Sequence, residues 1–277
     1  MPHPFQQLDV FSSRLGDGNP LAVVLGADDL TGEAMQRFAA WTNLSETTFL
    51  LTPSREEADY RVRIFTAVEE LSFAGHPTLG SCRAWLNAGG MPQGPEVVQE
   101  CGVGLVRLRR GDDSDLVSFA APPLRRSGPV DPELARRVES VLGGPPVSLA
   151  WGDNGPGWVV AELESGAAVR ELVPVFTAGE PIELGVFGRD EQGYEVRAFF
   201  RGPTGQCEDP VTGSLNAAIA TILAARGELL PGQRYTATQG TALGRRGQVE
   251  VVREDDTLWV GGRVVSAISG QVDLGSR

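Results

Sequence analysis

The chain repeats itself, and that constrains its fold more than any other feature. "YRVRIF" at Tyr60 to Phe65 returns as "YEVRAF" at Tyr194 to Phe199. Downstream, "GHPTLGS" at Gly75 to Ser81 lines up with "EDPVTGS" at Glu208 to Ser214 on the skeleton Pro-x-x-Gly-Ser, after one single-residue gap. The offset of about 133 residues is close to half of the 277, so the chain reads as two related halves. Each hexapeptide alternates apolar and charged side chains, the pattern of a half-buried strand. Each Pro-x-x-Gly-Ser turn then runs into helical spacing: Leu79, Cys82, Trp85 and Leu86 in the first half, Leu215, Ile219, Ile222 and Leu223 in the second. The second helix, "LNAAIATILAA", is apolar nearly all round, as a fully buried helix is.

Upstream of these, "LTGEAMQRFAAW" offers Thr31 as a cap, and "VDPELARRVESVLGG" offers Asp131 as a cap, Pro132 at the first helical position and glycines at the end. The strands expected after these two surface helices are "TTFLL" and "GWVVAEL". The predicted fold is α+β, with pseudo-symmetric domains at residues 1–120 and 121–277 and a hinge in the proline-rich stretch 121–130. The C-terminal strand is allowed to cross back to the first domain.

Composition removes several functions. The formal charge is −12, which repels nucleic acid and anionic membrane surfaces. Every basic residue is arginine; without lysine there is no internal Schiff base, no pyridoxal-phosphate anchor and no P-loop lysine. Two histidines, His3 and His76, and three scattered cysteines, Cys82, Cys101 and Cys207, form neither a zinc spacing nor a disulfide framework, so no metal is expected. No segment reaches the ~18 to 20 apolar residues of a membrane span, and "MPHPFQQLDVF" lacks the features of a signal peptide, so the expected location is cytoplasmic. "GDGNPL" and "CGVGLV" lack the third glycine of a dinucleotide fingerprint, and no Gly-x-Ser-x-Gly elbow occurs.

The two turns carry the candidate chemistry. The first turn of a helix offers unpaired N–H groups and the positive end of its dipole, so two such turns can bind an anion such as a substrate carboxylate. Gly75, Gly80, Gly205 and Gly213 allow close backbone approach, and Pro77 and Pro210 preset the helix starts. On the alignment above His76 stands where Asp209 stands, each directly before the proline, a complementary pair for proton exchange. Glu46, in "NLSETTF", follows a helix and precedes an apolar strand. The second half shows no glutamate in "WGDNGPGW", taken as the corresponding stretch, so one base is expected, in one half only.

"LDVF", "GNPLAVV", "NLSETTF", "FAGHPTLGS" and "EDPVTGS", in this order, resemble the phenazine-biosynthesis PhzF-like family, with a weaker likeness in "QGTALGRRGQVEV" and "WVGGRVV". The resemblance spans nearly the whole chain. It implies the diaminopimelate epimerase-like fold, in which each half is a curved, mostly antiparallel sheet or barrel around a central helix, with the site between the halves. It also implies a homodimer, no metal or organic cofactor, and a proton-shifting isomerase acting on a small carboxylate-bearing metabolite. Carried over by position, the resemblance makes Glu46, His76, Asp209 and Ser214 catalytic and Asn19, Ser45, Gly75, Gly80, Thr212 and Gly213 substrate-binding. An amino-acid epimerase or racemase and a non-catalytic dimeric binding protein are the alternatives. The cysteine pair of the related racemases is missing from both helix starts. "FTA" with Ala67 replaces the family's usual "FTP", and the second-half loop shifts its proline to Pro203; both departures bear on substrate identity.

Overall fold

A computed structural model describes residues 2–111, 113, 115–176, 182–202 and 205–275; Pro203 lies outside the described residues. The chain divides into two compact units, one of residues 1–120 with 261–277 and one of residues 121–260.

The first unit holds β1 (His3–Val10), β2 (Asn19–Val24), α1 (Gly32–Thr42), β3 (Glu46–Leu51), β4 (Tyr60–Phe65), β5 (Glu70–Leu71), α2 (Gly75–Asn87), β6 (Val97–Cys101), β7 (Gly104–Arg110) and β8 (Leu116–Ala120). The second holds β9 (Arg126–Gly128), α3 (Pro132–Leu142), β10 (Ser148–Asp153), β11 (Val159–Glu162), α4 (Gly166–Glu171), β12 (Leu184–Asp190), β13 (Gly193–Gly202), β14 (Gly205–Asp209), α5 (Gly213–Ala225), β15 (Arg234–Gln239) and β16 (Gly247–Glu254). The last strand, β17 (Thr257–Val272), begins in the second unit and ends in the first.

In the first unit β1, β2, β3, β4, β6, β7, β8 and β17 pair in a closed ring, and β5 forms a hairpin with β4. Two pairings are parallel, β2–β3 across α1 and β4–β6 across α2; parallel neighbours need such a crossover. Helix α2 lies inside the ring against β1, β2, β3, β6 and β8, and its residues from Gly75 to Cys82 are all buried. Helix α1 covers the outer face, where Met35 and Ala39 pack with Phe49, Leu51 and Phe65. The second unit repeats the ladder from β10 to β16, with parallel pairs β11–β12 and β13–β15 and the buried helix α5 against β10, β11 and β16. This is the diaminopimelate epimerase-like architecture, α+β, with a helix at the centre of each half.

The symmetry differs in two places from the sequence reading. The crossover equivalent to α1 is α4, between β11 and β12, and not α3, which sits between β9 and β10 and is followed by "SLAWGD" rather than "GWVVAEL". Only six residues long, α4 has no readable periodicity. Yet α3 does the packing that α1 does: Val138 and Val141 cover Leu184, Val186 and Phe199, the register counterparts of Thr47, Phe49 and Phe65. The second difference is the helix start. Both central helices have 13 residues beginning at a glycine, Gly75 and Gly213, so His76 corresponds to Ser214. Pro77 is the third residue of α2, whereas Pro210 lies ahead of α5; the Pro-x-x-Gly-Ser skeleton is a sequence coincidence, not a structural equivalence. Gly80 likewise sits inside α2 and faces protein rather than a ligand. A Cβ there would stand 2.5 Å from Leu21 Cδ2 and 3.0 Å from Val10 Cγ2, both fully buried. Gly80→Ala is expected to destabilise the protein by about 2 kcal/mol through overpacking, less the ~1 kcal/mol that alanine gains in a helix interior, read as a lower denaturation midpoint.

Candidate active site

In the first unit the structure brings Asn19, Glu46 and His76 together. Asn19 opens β2 and Glu46 opens the parallel neighbour β3, where Glu46 pairs with Leu21. His76 is the second residue of α2. Its Nδ1 lies 3.3 Å from Glu46 Oε2 and 3.4 Å from Asn19 Nδ2. Two residues along β3, Thr48 Oγ1 accepts a 2.9 Å hydrogen bond from Ser81 Oγ of α2, which fixes the strand to the helix and so Glu46 to His76. Ser45 immediately precedes the glutamate. The start of α2 has no side-chain cap: its N-cap residue is Ala74, and Gly75 is the first helical residue.

Burial depresses the His76 pKa to about 3, opposed by a contact with the Pro20 carbonyl. The imidazole is therefore neutral near pH 7, and its 3.3 Å contact with Glu46 is not an ion pair. Around Nδ1 stand the Glu46 carboxylate, which accepts, and the Asn19 Nδ2 amide, which donates. Nε2 is buried and without a hydrogen-bond partner among the described residues. His76 also imposes a pH dependence on stability. The unfolded chain takes up a proton near pH 6.5 and the native state only near 3, so stability is full above 6.5 and falls as the pH drops. Between pH 6.5 and 5 the wild type is expected to lose about 2 kcal/mol that His76→Gln does not lose, measured by urea unfolding at each pH.

In the second unit Asp209 ends β14 and Ser214 is the second residue of α5. Asp209 Oδ2 accepts a 2.6 Å hydrogen bond from Thr212 Oγ1. Thr212 is the N-cap residue of α5, but its side chain makes no cap bond, being turned to Asp209; Gly213 follows. Ser214 Oγ accepts from Trp158 Nε1 at 3.0 Å, and the Ser214 carbonyl accepts from Asn154 Nδ2 at 2.8 Å. Local sequence does not mark Trp158, Gln239 or Asn216. Asn154 had a signal: "GDNGP" echoes "GDGNP", which carries Asn19.

Register corrects the pairing of functional residues between the halves. Glu70 pairs with Phe65 and Glu208 with Phe199, so Asp209 corresponds to Leu71 and not to His76. Glu46 precedes Thr47, the partner of Phe65, and Glu183 precedes Leu184, the partner of Phe199. Glu183 is thus the counterpart of Glu46. "WGDNGPGW" is not the counterpart of "NLSETTF", because α3 is not the helix that leads into this strand.

The family model described as phenazine biosynthesis-like protein matches residues 8–270. The chain belongs to that family. Trans-2,3-dihydro-3-hydroxyanthranilate isomerase of Pseudomonas aeruginosa is 34% identical, over 88% of this chain and 87% of that protein. A Schizosaccharomyces pombe protein named antisense-enhancing sequence 1 is 36% identical, over 97% of this chain and 98% of its own. A PhzF-family structure from Enterococcus faecalis superposes with a TM-score of 0.77 at 22% identity, covering 99% and 100% of the two chains. A hydroxyproline epimerase from Agrobacterium vitis shares the fold with a TM-score of 0.63 at 17% identity, over 98% and 92%. Several further relatives are named isomerases, and the chain is an isomerase of this family. No helix among the described residues is long and apolar enough to cross a membrane.

Proposed function

We propose that the protein moves a proton on a small carboxylate-bearing metabolite without a cofactor, with Glu46 as the base. The observation that carries this is Glu46 held 3.3 Å from a buried, neutral histidine beside an uncapped helix start. A carboxylate can take and return a proton, whereas His76 stays neutral down to about pH 3. In the first unit His76 Nε2 meets the substrate, and Asn19 and the N–H groups at Gly75 orient it; in the second unit Asp209, Thr212, Gly213 and Ser214 are the proposed polar-group binders. Incubation with a panel of small carboxylates, including trans-2,3-dihydro-3-hydroxyanthranilate, in deuterated water tests this by isotope exchange. Exchange or conversion that needs Glu46 supports it; binding of panel members with no exchange favours a binding protein instead.

A second reading has a specific observation behind it. A glutamate stands at the Glu46 position of each half, the second being Glu183, as an epimerase with one base per half would require. Deuterium entering a stereocentre from solvent, with exchange of one enantiomer lost in Glu183→Gln and of the other in Glu46→Gln, would select it. An internal proton shift untouched by Glu183→Gln would reject it. The homodimer implied by the resemblance is checked by sedimentation, where a monomer alone removes it.

A further inference from the structure

Gln239, at the end of β15, is fully buried, and its amide is fixed by atoms whose roles are unambiguous. The Thr212 backbone N–H, a donor only, gives a 3.0 Å hydrogen bond to Gln239 Oε1. The Asp209 carbonyl, an acceptor only, lies 3.2 Å from Gln239 Nε2. The amide therefore has one orientation, and the second Nε2 hydrogen goes to Thr212 Oγ1 at 2.9 Å. Asn216 adds to the lock. Its Nδ2 donates to the Thr212 carbonyl at 2.9 Å and to Gln239 Oε1 at 3.1 Å. The backbone leaves no slack: a Cβ on Gly240 would stand 2.7 Å from the Pro210 carbonyl oxygen, and one on Gly247 2.1 Å from Val211 Cγ2.

Because Thr212 Oγ1 already receives a hydrogen from Gln239, its own hydrogen goes to its remaining close partner, Asp209 Oδ2 at 2.6 Å. We infer that Gln239 is a positioning residue for Asp209: through the Thr212 hydroxyl it holds Oδ2 as a hydrogen-bond acceptor. Oriented chains of this kind stiffen and polarise one another in a buried setting. The catalytic meaning of this chain rests on the proposed role of Asp209, but the chain itself is testable with no substrate present.

The test is the titration of Asp209, followed by NMR of protein labelled at the aspartate carboxyl carbons and assigned with Asp209→Asn. A hydrogen bond to the ionised form lowers a carboxyl pKa. Thr212→Val is expected to raise the Asp209 midpoint by about half a unit or more, Thr212→Ser to leave it near the wild-type value, and Gln239→Met to raise it part of the way. In the unaltered protein the Thr212 hydroxyl proton should give a slowly exchanging resonance that shifts as Asp209 titrates. That measurement stands even where Gln239→Met does not fold. A wild-type midpoint in Thr212→Val or Gln239→Met, an equal rise in Thr212→Ser, or a hydroxyl proton in fast exchange would each overturn the inference. Loss of isomerase activity with an unmoved Asp209 titration would count against this chain alone, and a moved titration with no activity on any substrate would count against the functional reading alone.

Discussion

Glu46→Gln is expected to lower turnover by about 10²- to 10⁴-fold, the usual contribution of a positioned acid–base group, while the Michaelis constant changes little. Glutamine keeps the shape of the side chain and a terminal oxygen, so the 3.3 Å contact with His76 Nδ1 can persist. What it loses is the ability to hold a proton. Stability should stay within about 1 kcal/mol of wild type, since the two side chains have the same shape. Steady-state rates and deuterium exchange on the substrate established by the carboxylate screen are the readouts. Turnover within tenfold of wild type would remove Glu46 as the base and leave the neutral His76 no better placed, because its proton affinity is too low. Loss of binding together with turnover would instead make Glu46 a recognition group.

What the sequence showed, and what it hid, follows from range. The repeat of "YRVRIF" and "YEVRAF" alternates apolar and polar side chains every second residue; in β4 the polar face is half-buried, as expected, whereas in β13 Glu195 and Arg197 are buried as well. Both central helices were visible through their apolar spacing, and Thr31 and Asp131 do cap α1 and α3, with hydroxyl and carboxylate accepting from the N–H groups of Ala34 and Leu134. The Pro-x-x-Gly-Ser skeleton misled because two prolines with different jobs, one in the first turn of α2 and one ahead of α5, produce the same letters. Only ladder register shows Asp209 to be the counterpart of Leu71 and Glu183 that of Glu46. Gln239 stayed hidden for a related reason: it reaches Thr212 across 27 residues, and nothing in "ATQG" marks a glutamine that turns inward.

The pseudo-symmetry also supplies a stability experiment with its own control. Arg63 and Arg197 are counterparts, as are Glu70 and Glu208, and each arginine grips its glutamate through two hydrogen bonds. The pairs differ in burial. The side chains of Arg63 and Glu70 are 31% and 42% exposed, those of Arg197 and Glu208 only 7% and 12%. Arg197 also donates to the carbonyls of Leu172 and Val169 at the end of α4. Water compensates Glu70 when its partner is lost, so Arg63→Met should cost no more than about 1 kcal/mol. Arg197→Met strands Glu208 and two carbonyls away from water and should cost about 3 to 5 kcal/mol by urea unfolding. Removing both charges, in Arg197→Met with Glu208→Leu, should recover a large part of that loss, because the penalty lies in the stranded carboxylate rather than in the missing attraction. Equal costs for the two arginine variants would show that burial does not set the difference. Since Glu208 is the residue before Asp209 on β14, Arg197→Met should also shift the carboxyl signal of Asp209, while Arg63→Met should leave it where it is.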